Sequence, residues 1–452
     1  MMEPAALARD LAASGVSGVM IVWADNNGIP RARIAPVDAL PAVSERGVGI
    51  TSLFAVFDTH DMITFAHPGL STPSGDVRLL PVLERLTRLA GQPALAWAPG
   101  RQVATDGSVW PYDQRGVLEA QVRRAAEAGL EVRAGWEIEF AVGVAGEDPT
   151  GVLQGAHHGP AYSSRALLDV DEFAGTLLAD FAANGLPVGQ LHAEYGPAQV
   201  EVSLTPSDPV TAADRQLLAR QTIHAAARAH GLQVSFAPLI SASGVGNGWH
   251  LHTSVWRDGR NLLAGDAERG PGPDGAGYLG GLLRDLPAVA ALTAPSVPSL
   301  TRLRPGYFAG AYVFWGVENR EATLRYVPGS SLLGADHANV EFKACDASAN
   351  PYLALATVIA AGTAGLADGA TLDEPIQSDP GTWSEQERST RGLARLPATP
   401  ADQEAALLGS DRIRAVLGDD LLGAFVAARR SDAAWAAERT PDDVVAAHLW
   451  RY

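Results

Sequence analysis

Apolar positions recur along this chain on two different periods, and the changes of period mark its elements. Residues 4–14 carry the spacing of a short amphipathic helix, after which Val19, Ile21 and Trp23 recur at every second position up to the run Asp25-Asn26-Asn27-Gly28. Alternation resumes over 31–34, so the Asn-Gly pair predicts a β-hairpin. Residues 58–81 read as a loop-rich stretch. A strand-like segment at 102–111 then leads to a helix starting near Gln114, which places a domain boundary near residue 108. Beyond it, helices predicted over 115–129 and 211–231 alternate with short strands without a regular βαβ repeat, and that mixture is the α+β class. The Gly-, Pro- and Asp-rich residues 264–277 read as a surface loop. The C-terminal third reads as Ala- and Leu-rich helix, broken by a polar, Pro-containing segment at 376–402.

A chain of 452 residues exceeds one ordinary core, so a large domain accompanied by a smaller one is expected. The net charge of -17 argues against a nucleic-acid or anionic-membrane partner, because a polyanion needs a basic face. Any phosphate bound here has to be held by local cations or metal ions. Glu3 and Asp10 stand where a secretory leader carries positive charge and an apolar core, and no run reaches the ~18 apolar residues of a membrane span, so a cytoplasmic location is expected. Cys345 is the only cysteine, which leaves no intrachain disulfide. Lys343 is the only lysine among 34 basic residues.

The candidate chemistry lies on strand-like segments whose polar residues are two apart. Glu137 and Glu139 share one strand face while Ile138 and Phe140 take the other. The same pattern recurs at Gln199, Glu201 and Ser203, at His250 and His252, and at Asn339, Glu341 and Lys343. Any one pair also fits a solvated sheet face. Together, such carboxylates would repel one another unless cations neutralised them, and Glu oxygens with one or two imidazoles suit Mg²⁺ or Mn²⁺. His60, His67, His157, His158, His192, His224, His230 and His337 read instead as surface or ordinary hydrogen-bonding residues. The glycines of 244–248 do not form a dinucleotide fingerprint and lead into a strand, so they read as backbone that approaches a ligand closely. Arg302, Arg304, Arg320 and Arg325 lie among aromatic and Gly-Pro residues, and their forked donors suit carboxylate or phosphate oxygens.

In order along the chain, Glu137-Ile-Glu139, Glu194 through Glu201, Gly246-Asn-Gly-Trp-His250-Leu-His252, Arg302-Leu-Arg-Pro-Gly306, Glu318-Asn-Arg320 through Arg325, and Glu341-Phe-Lys343 followed by Asn350-Pro351 resemble the motifs of the glutamine synthetase family. The resemblance implies a small N-terminal β-grasp domain, residues 1–107, and a large catalytic domain, residues 108–452. It implies that Glu139, Glu194 and Glu201 bind one metal ion, and Glu137, His250 and Glu341 a second. Gly246, His250 and Arg302 would hold the amino-acid substrate, Arg320 and Arg325 the transferring phosphate, and His252 and Ser254 would lie near ATP. Arg302, Arg320 and Glu341 would be the catalytic group. The implied reaction activates the γ-carboxylate of glutamate with ATP as γ-glutamyl phosphate, from which a nitrogen nucleophile displaces phosphate. Stacked rings with sites between subunits, as a dodecamer, are implied as well.

The chain departs from the family pattern where the nitrogen substrate is handled. Phe308 stands at the flap position of the glutamate that helps bind and deprotonate ammonium. Residues 57–61 replace the loop that supplies an ammonium-binding Asp, leaving Asp58, His60 and Asp61 as candidates for a replacement base. Lys343 and Asn339 replace arginines, which bears on how the acid donor is recognised. The family's adenylylation-site Tyr has no counterpart in 385–400. An aromatic flap residue resembles the branch of γ-glutamyl ligases for organic amines. The alternatives are a glutamine synthetase with a displaced ammonium site, a ligase with another acid donor, or a non-catalytic regulatory relative.

Overall fold

The computed structural model describes residues 3–145, 153–266 and 270–452. Its first helix, Pro4–Ala13, leads into the hairpin, in which Gly18–Ala24 pairs antiparallel with Pro30–Pro36 and Trp23 faces Arg31. Asp25 shapes the turn by accepting the Asn27 and Ile29 backbone N–H groups at 2.8 and 3.1 Å. Gly28 sits at φ +70°, and a Cβ there would meet the Ala349 and Ser348 carbonyl oxygens at 2.5 and 2.7 Å. This turn therefore docks against backbone more than 300 residues away, where only glycine fits. Gly28→Ala is expected to destabilise the protein by about 2–3 kcal/mol, seen as a lower unfolding temperature in calorimetry. An unchanged unfolding temperature would show that the contact yields easily.

The hairpin belongs to a six-stranded sheet ordered Pro30–Pro36, Gly18–Ala24, Leu95–Ala104, Asp76–Pro81, Val48–Thr51, with Thr87–Arg88 also paired to Leu95–Ala104. Only Gly18–Ala24 and Leu95–Ala104 run parallel. The sheet packs on Pro4–Ala13 and Leu40–Arg46 around Leu11, Val19, Ile21, Leu40, Val77 and Leu79. Strand Asp76–Pro81 falls inside the stretch expected to be loop, because its apolar–polar alternation is broken at Leu80 and it ends at Pro81.

A nine-stranded sheet carries the candidate chemistry. Its order is Trp315–Val317, Leu324–Val327, Asn339–Phe342, Leu251–Arg257, Glu131–Val144, Gln199–Ser207, Val188–Ala193, with Leu232–Ser235 and Arg260–Asn261 as side branches. Ile138, Phe140, Val202, Leu251, Val340 and Phe342 point into one core shared with the long helices Pro209–Ala229, Pro273–Thr293 and Pro351–Asp368. Period-two alternation then sends Glu137, Glu139, Glu201, His252 and Glu341 to the opposite face. The expected helices appear as Gln114–Glu127, capped by Asp113 accepting the Gly116 N–H, and as Pro209–Ala229, capped by Asp208. The stretch 264–277 is not all loop: a helix begins at Pro273, whose missing N–H is no loss at a first helical position. Helix Pro351–Asp368 is long and apolar enough to cross a membrane by length and composition, but most of it is buried in the core. The architecture is a mixed α+β fold.

Candidate active site

Antiparallel pairing places Glu139 opposite Glu201 and His252 opposite Glu341, while Arg325 faces Glu341 from the other neighbouring strand. Directly opposed side chains on one face are close enough to touch, and like charges so placed are destabilising. His250, at the mouth of strand Leu251–Arg257, lies between the carboxylates: its Nδ1 is 3.0 Å from Glu137 and 3.2 Å from Glu341, and its Nε2 is 3.7 Å from Glu139. His252 Nε2 is 3.2 Å from Glu137, and its Nδ1 is 2.9 Å from the Asn339 side-chain oxygen. Glu341, almost fully buried, accepts from Arg325 and Lys343, each at 2.9 Å.

A buried amide network aims these groups. Glu139 accepts the Gly248 backbone N–H at 2.7 Å and the Gln199 side-chain N–H at 2.9 Å. The same Gln199 nitrogen is 2.9 Å from the Gly246 carbonyl and from Asn247 Oδ1, which ties the Gly-rich loop to the sheet. Gly246 itself is needed for close approach, since a Cβ would meet Arg302 Cγ at 2.5 Å. Arg302 is buried and donates to the Cys345 carbonyl at 3.0 Å and to Asp346 at 3.3 Å.

The electrostatics are those of crowded anions. Burial, together with the charges of Glu137, Glu139 and Glu194, pushes Glu201 up to about 10. Burial also raises Glu139. For Glu137 burial is outweighed by hydrogen bonds from His250 and His252, which hold it well below the usual carboxylate range. Glu341 is held low in the same way, by Lys343 first and the two imidazoles next. His252 resists burial through Glu137 and Glu341 and rises to about 9. A cluster in which burial and mutual repulsion push Glu201 and Glu139 up lacks positive charge, and divalent cations would supply it. The donor atoms fall into three groups that could each hold an ion: Glu137, His250 and Glu341; Glu139, Glu201 and His250; and His192, Glu194 and Glu201. All are hard oxygen or imidazole donors, so the residues fit Mg²⁺ or Mn²⁺.

Next to Glu137 and His252 opens a cleft of about 690 Å³, lined also by Arg133, Ser254, Trp256 and Asn339. The Arg133 guanidinium lies 4.0 Å over the Trp256 ring, and Ser254 accepts the Trp256 indole N–H at 2.9 Å. Both residues expected near ATP, His252 and Ser254, therefore line one cavity, whereas Arg325, expected at the transferring phosphate, stands at the Glu341 side. Arg320 is exposed, has no ion pair among the described residues, and lies near enough to Tyr162 to act on its phenol.

Phe308, expected at the flap, is exposed, at φ +52°, a conformation costly for a bulky side chain. Its N–H donates to buried Glu321 at 3.1 Å, which anchors the turn. The loop 57–61 does not join the carboxylates within this chain. Asp58 is buried and accepts the His60 and Met62 N–H groups, both at 2.9 Å, and the Ser431 hydroxyl at 2.8 Å. His60 stacks on Trp435 at 3.7 Å, and Asp61 pairs with Arg31 and Arg451. Within one chain Asp58 and His60 are thus engaged at helix Asp411–Ala437, and Asp61 with Arg31 and Arg451.

Sequence reasoning passed over His192, which lies 3.8 Å from Glu194 and 3.7 Å from Glu201. Its signal was available: it precedes Glu194 by two, the alternation that marks His250 and His252. It also passed over Tyr162, whose phenol the surrounding protein and Glu194 raise to about 12, and its neighbour Tyr195.

Comparison with known proteins agrees with this geometry. The family pattern described as "Glutamine synthetase, catalytic domain" matches residues 111–445. The chain is 43% identical to the gamma-glutamylpolyamine synthetase GlnA3 of Streptomyces coelicolor over 99% of its own length and 96% of that protein's. It is 28% identical to the glutamine synthetase of Pyrococcus abyssi, over 89% and 87% of the two chains. A solved structure described as a novel glutamine synthase homolog superposes with a TM-score of 0.85 at 33% identity, covering 97% of this chain and 99% of the other. The chain belongs to the glutamine synthetase family of ATP-dependent ligases.

Proposed function

We propose that the protein joins the γ-carboxylate of glutamate to an organic primary amine, with ATP, through a γ-glutamyl phosphate intermediate. The observation that carries this reading is Phe308, exposed on an anchored flap where glutamine synthetases carry the glutamate that takes a proton from ammonium. A phenyl ring cannot accept a proton or balance a small bare cation, but it favours an alkyl or aryl substituent by about 25 cal/mol per Å² buried. The likeness to a gamma-glutamylpolyamine synthetase supports the same reading.

In this proposal Glu139, Glu194 and Glu201 hold one Mg²⁺ or Mn²⁺, and Glu137, His250 and Glu341 a second. When bound, these ions neutralise charge on the phosphoryl group in transfer. Gly246, His250 and Arg302 hold glutamate, with Lys343 close by. Arg320, exposed and without an ion pair among the described residues, meets the leaving phosphate, Arg325 supports it from Glu341, and His252 and Ser254 border the ATP cleft. We assign residues 1–107 to a β-grasp domain and 108–452 to the catalytic domain. In a ring with sites between protomers, loop 57–61 with Asp58 would border the amine site of a neighbouring subunit.

The test is phosphate release with ATP, Mg²⁺ or Mn²⁺ and glutamate across ammonium, alkylamines, ethanolamine, diamines, polyamines and anilines, with mass spectrometry of products. The expected result is a γ-glutamyl amide from an organic amine and little glutamine. Phe308→Glu is expected to raise glutamine formation and to lower organic-amine kcat/KM, each about tenfold. Brisk glutamine formation by the unaltered protein would sink the proposal.

A further inference from the structure

Tyr162 and Tyr195 are large exposed aromatics beside a carboxylate cluster, with 61% and 63% of their surface open. Their ring centroids are 6.5 Å apart, and Tyr162 meets the His192 ring edge-on at 6.2 Å. Tyr195 is held from its backbone, since its N–H donates to Glu194 at 2.7 Å. Tyr162 sits at φ +58°, a conformation a bulky residue rarely adopts, and such positions cluster where a ligand is gripped. Its phenol reaches the same Glu194 and stands within the field of Arg320. Two open π-faces thus stand beside the Glu194 carboxylate, within the field of Arg320, which the proposed function gives to the phosphate.

We infer that Tyr195, with Tyr162, forms the seat for the amine's organic substituent and selects linear amines that carry a second positive charge. This inference rests on the amide-ligase reading and names its substrate class. A methylene chain lies favourably along an aromatic face, and a distal ammonium is attracted by the ring quadrupole. A short neutral-tailed amine such as methylamine reaches neither feature.

The experiment compares kcat/KM for 1,4-diaminobutane and methylamine, at saturating glutamate and ATP, in the unaltered protein, Tyr195→Ala and Tyr195→Phe. Tyr195→Ala is expected to lower the preference for the diamine about tenfold, mainly through a higher diamine KM, as the loss of a partly desolvated cation–π contact implies. Tyr195→Phe keeps the ring and should restore the preference, which a merely structural role for the hydroxyl would not do. An unchanged preference in Tyr195→Ala, or an equal loss for both amines, overturns the seat while leaving the amide-ligase reading intact. Failure of the unaltered protein to form an amide from either amine overturns both.

Discussion

Replacing Glu341 with alanine is expected to reduce ATP-dependent amide formation by at least about a thousandfold, and to lower stability by about 3–5 kcal/mol. The Glu341 carboxylate is 1% exposed and meets His250 at 3.2 Å, Arg325 at 2.9 Å and Lys343 at 2.9 Å. Its removal would leave two largely buried cations without their anion and strip one ligand from the proposed metal site. Glu341→Gln separates these effects, because the amide fills the same space and still accepts one of the two hydrogen bonds through its oxygen while carrying no charge. We expect Glu341→Gln to recover part of the stability but none of the activity. Thermal unfolding and single-turnover phosphate release would report the two quantities. A Glu341→Gln protein that keeps more than about a tenth of the activity would show that this carboxylate is not needed at the metal.

Stripping divalent cations with EDTA is expected to abolish activity and to make stability depend on pH, at constant protein concentration. Glu201 has a folded value of about 10 against an ordinary 4.5, so the folded state holds that proton more tightly than the unfolded state. The stability this contributes is complete below 4.5 and is lost as pH rises toward 10. His252, raised from 6.5 to about 9, acts with the same sign and loses its contribution as pH passes that value. Glu137 and Glu341, held low, contribute above the ordinary carboxylate range and lose their share only in acid. The metal-free protein should therefore become steadily less stable between about pH 5 and 9. Saturating Mg²⁺ or Mn²⁺ replaces the proton on Glu201 and should flatten that slope, adding about 2.7 kcal/mol at a hundred times Kd. A gap between metal-loaded and EDTA-treated unfolding temperatures that stays constant from pH 6 to 9 would count against crowded carboxylates as the metal site.

Much of this site was legible because a strand exposes its residues on a strict period of two. Glu137 and Glu139, His250 and His252, and Glu341 and Lys343 each had to share a face once their apolar neighbours were committed to the core. The hairpin was legible for an equally local reason, since Asp25 and Gly28 specify their turn without outside help. His192 was missed despite the same spacing, because a lone imidazole near a strand end looks no different from a surface one until Glu201 is placed opposite it. The helix from Pro273 was missed because its first turns carry Gly, Pro and Asp, which locally favour a loop.

The sequence by itself determined which residues face together on each strand and the excess of negative charge. Those follow from covalent chemistry and the period of the backbone. Only the tertiary structure decided that Glu139 meets Glu201, that Gln199 and Gly248 hold Glu139 in place, and that Asp58 is spent on Ser431 rather than joining the carboxylates. Strand register and long-range packing are set by the burial of side chains distant in sequence, so no local pattern encodes which charges finally meet.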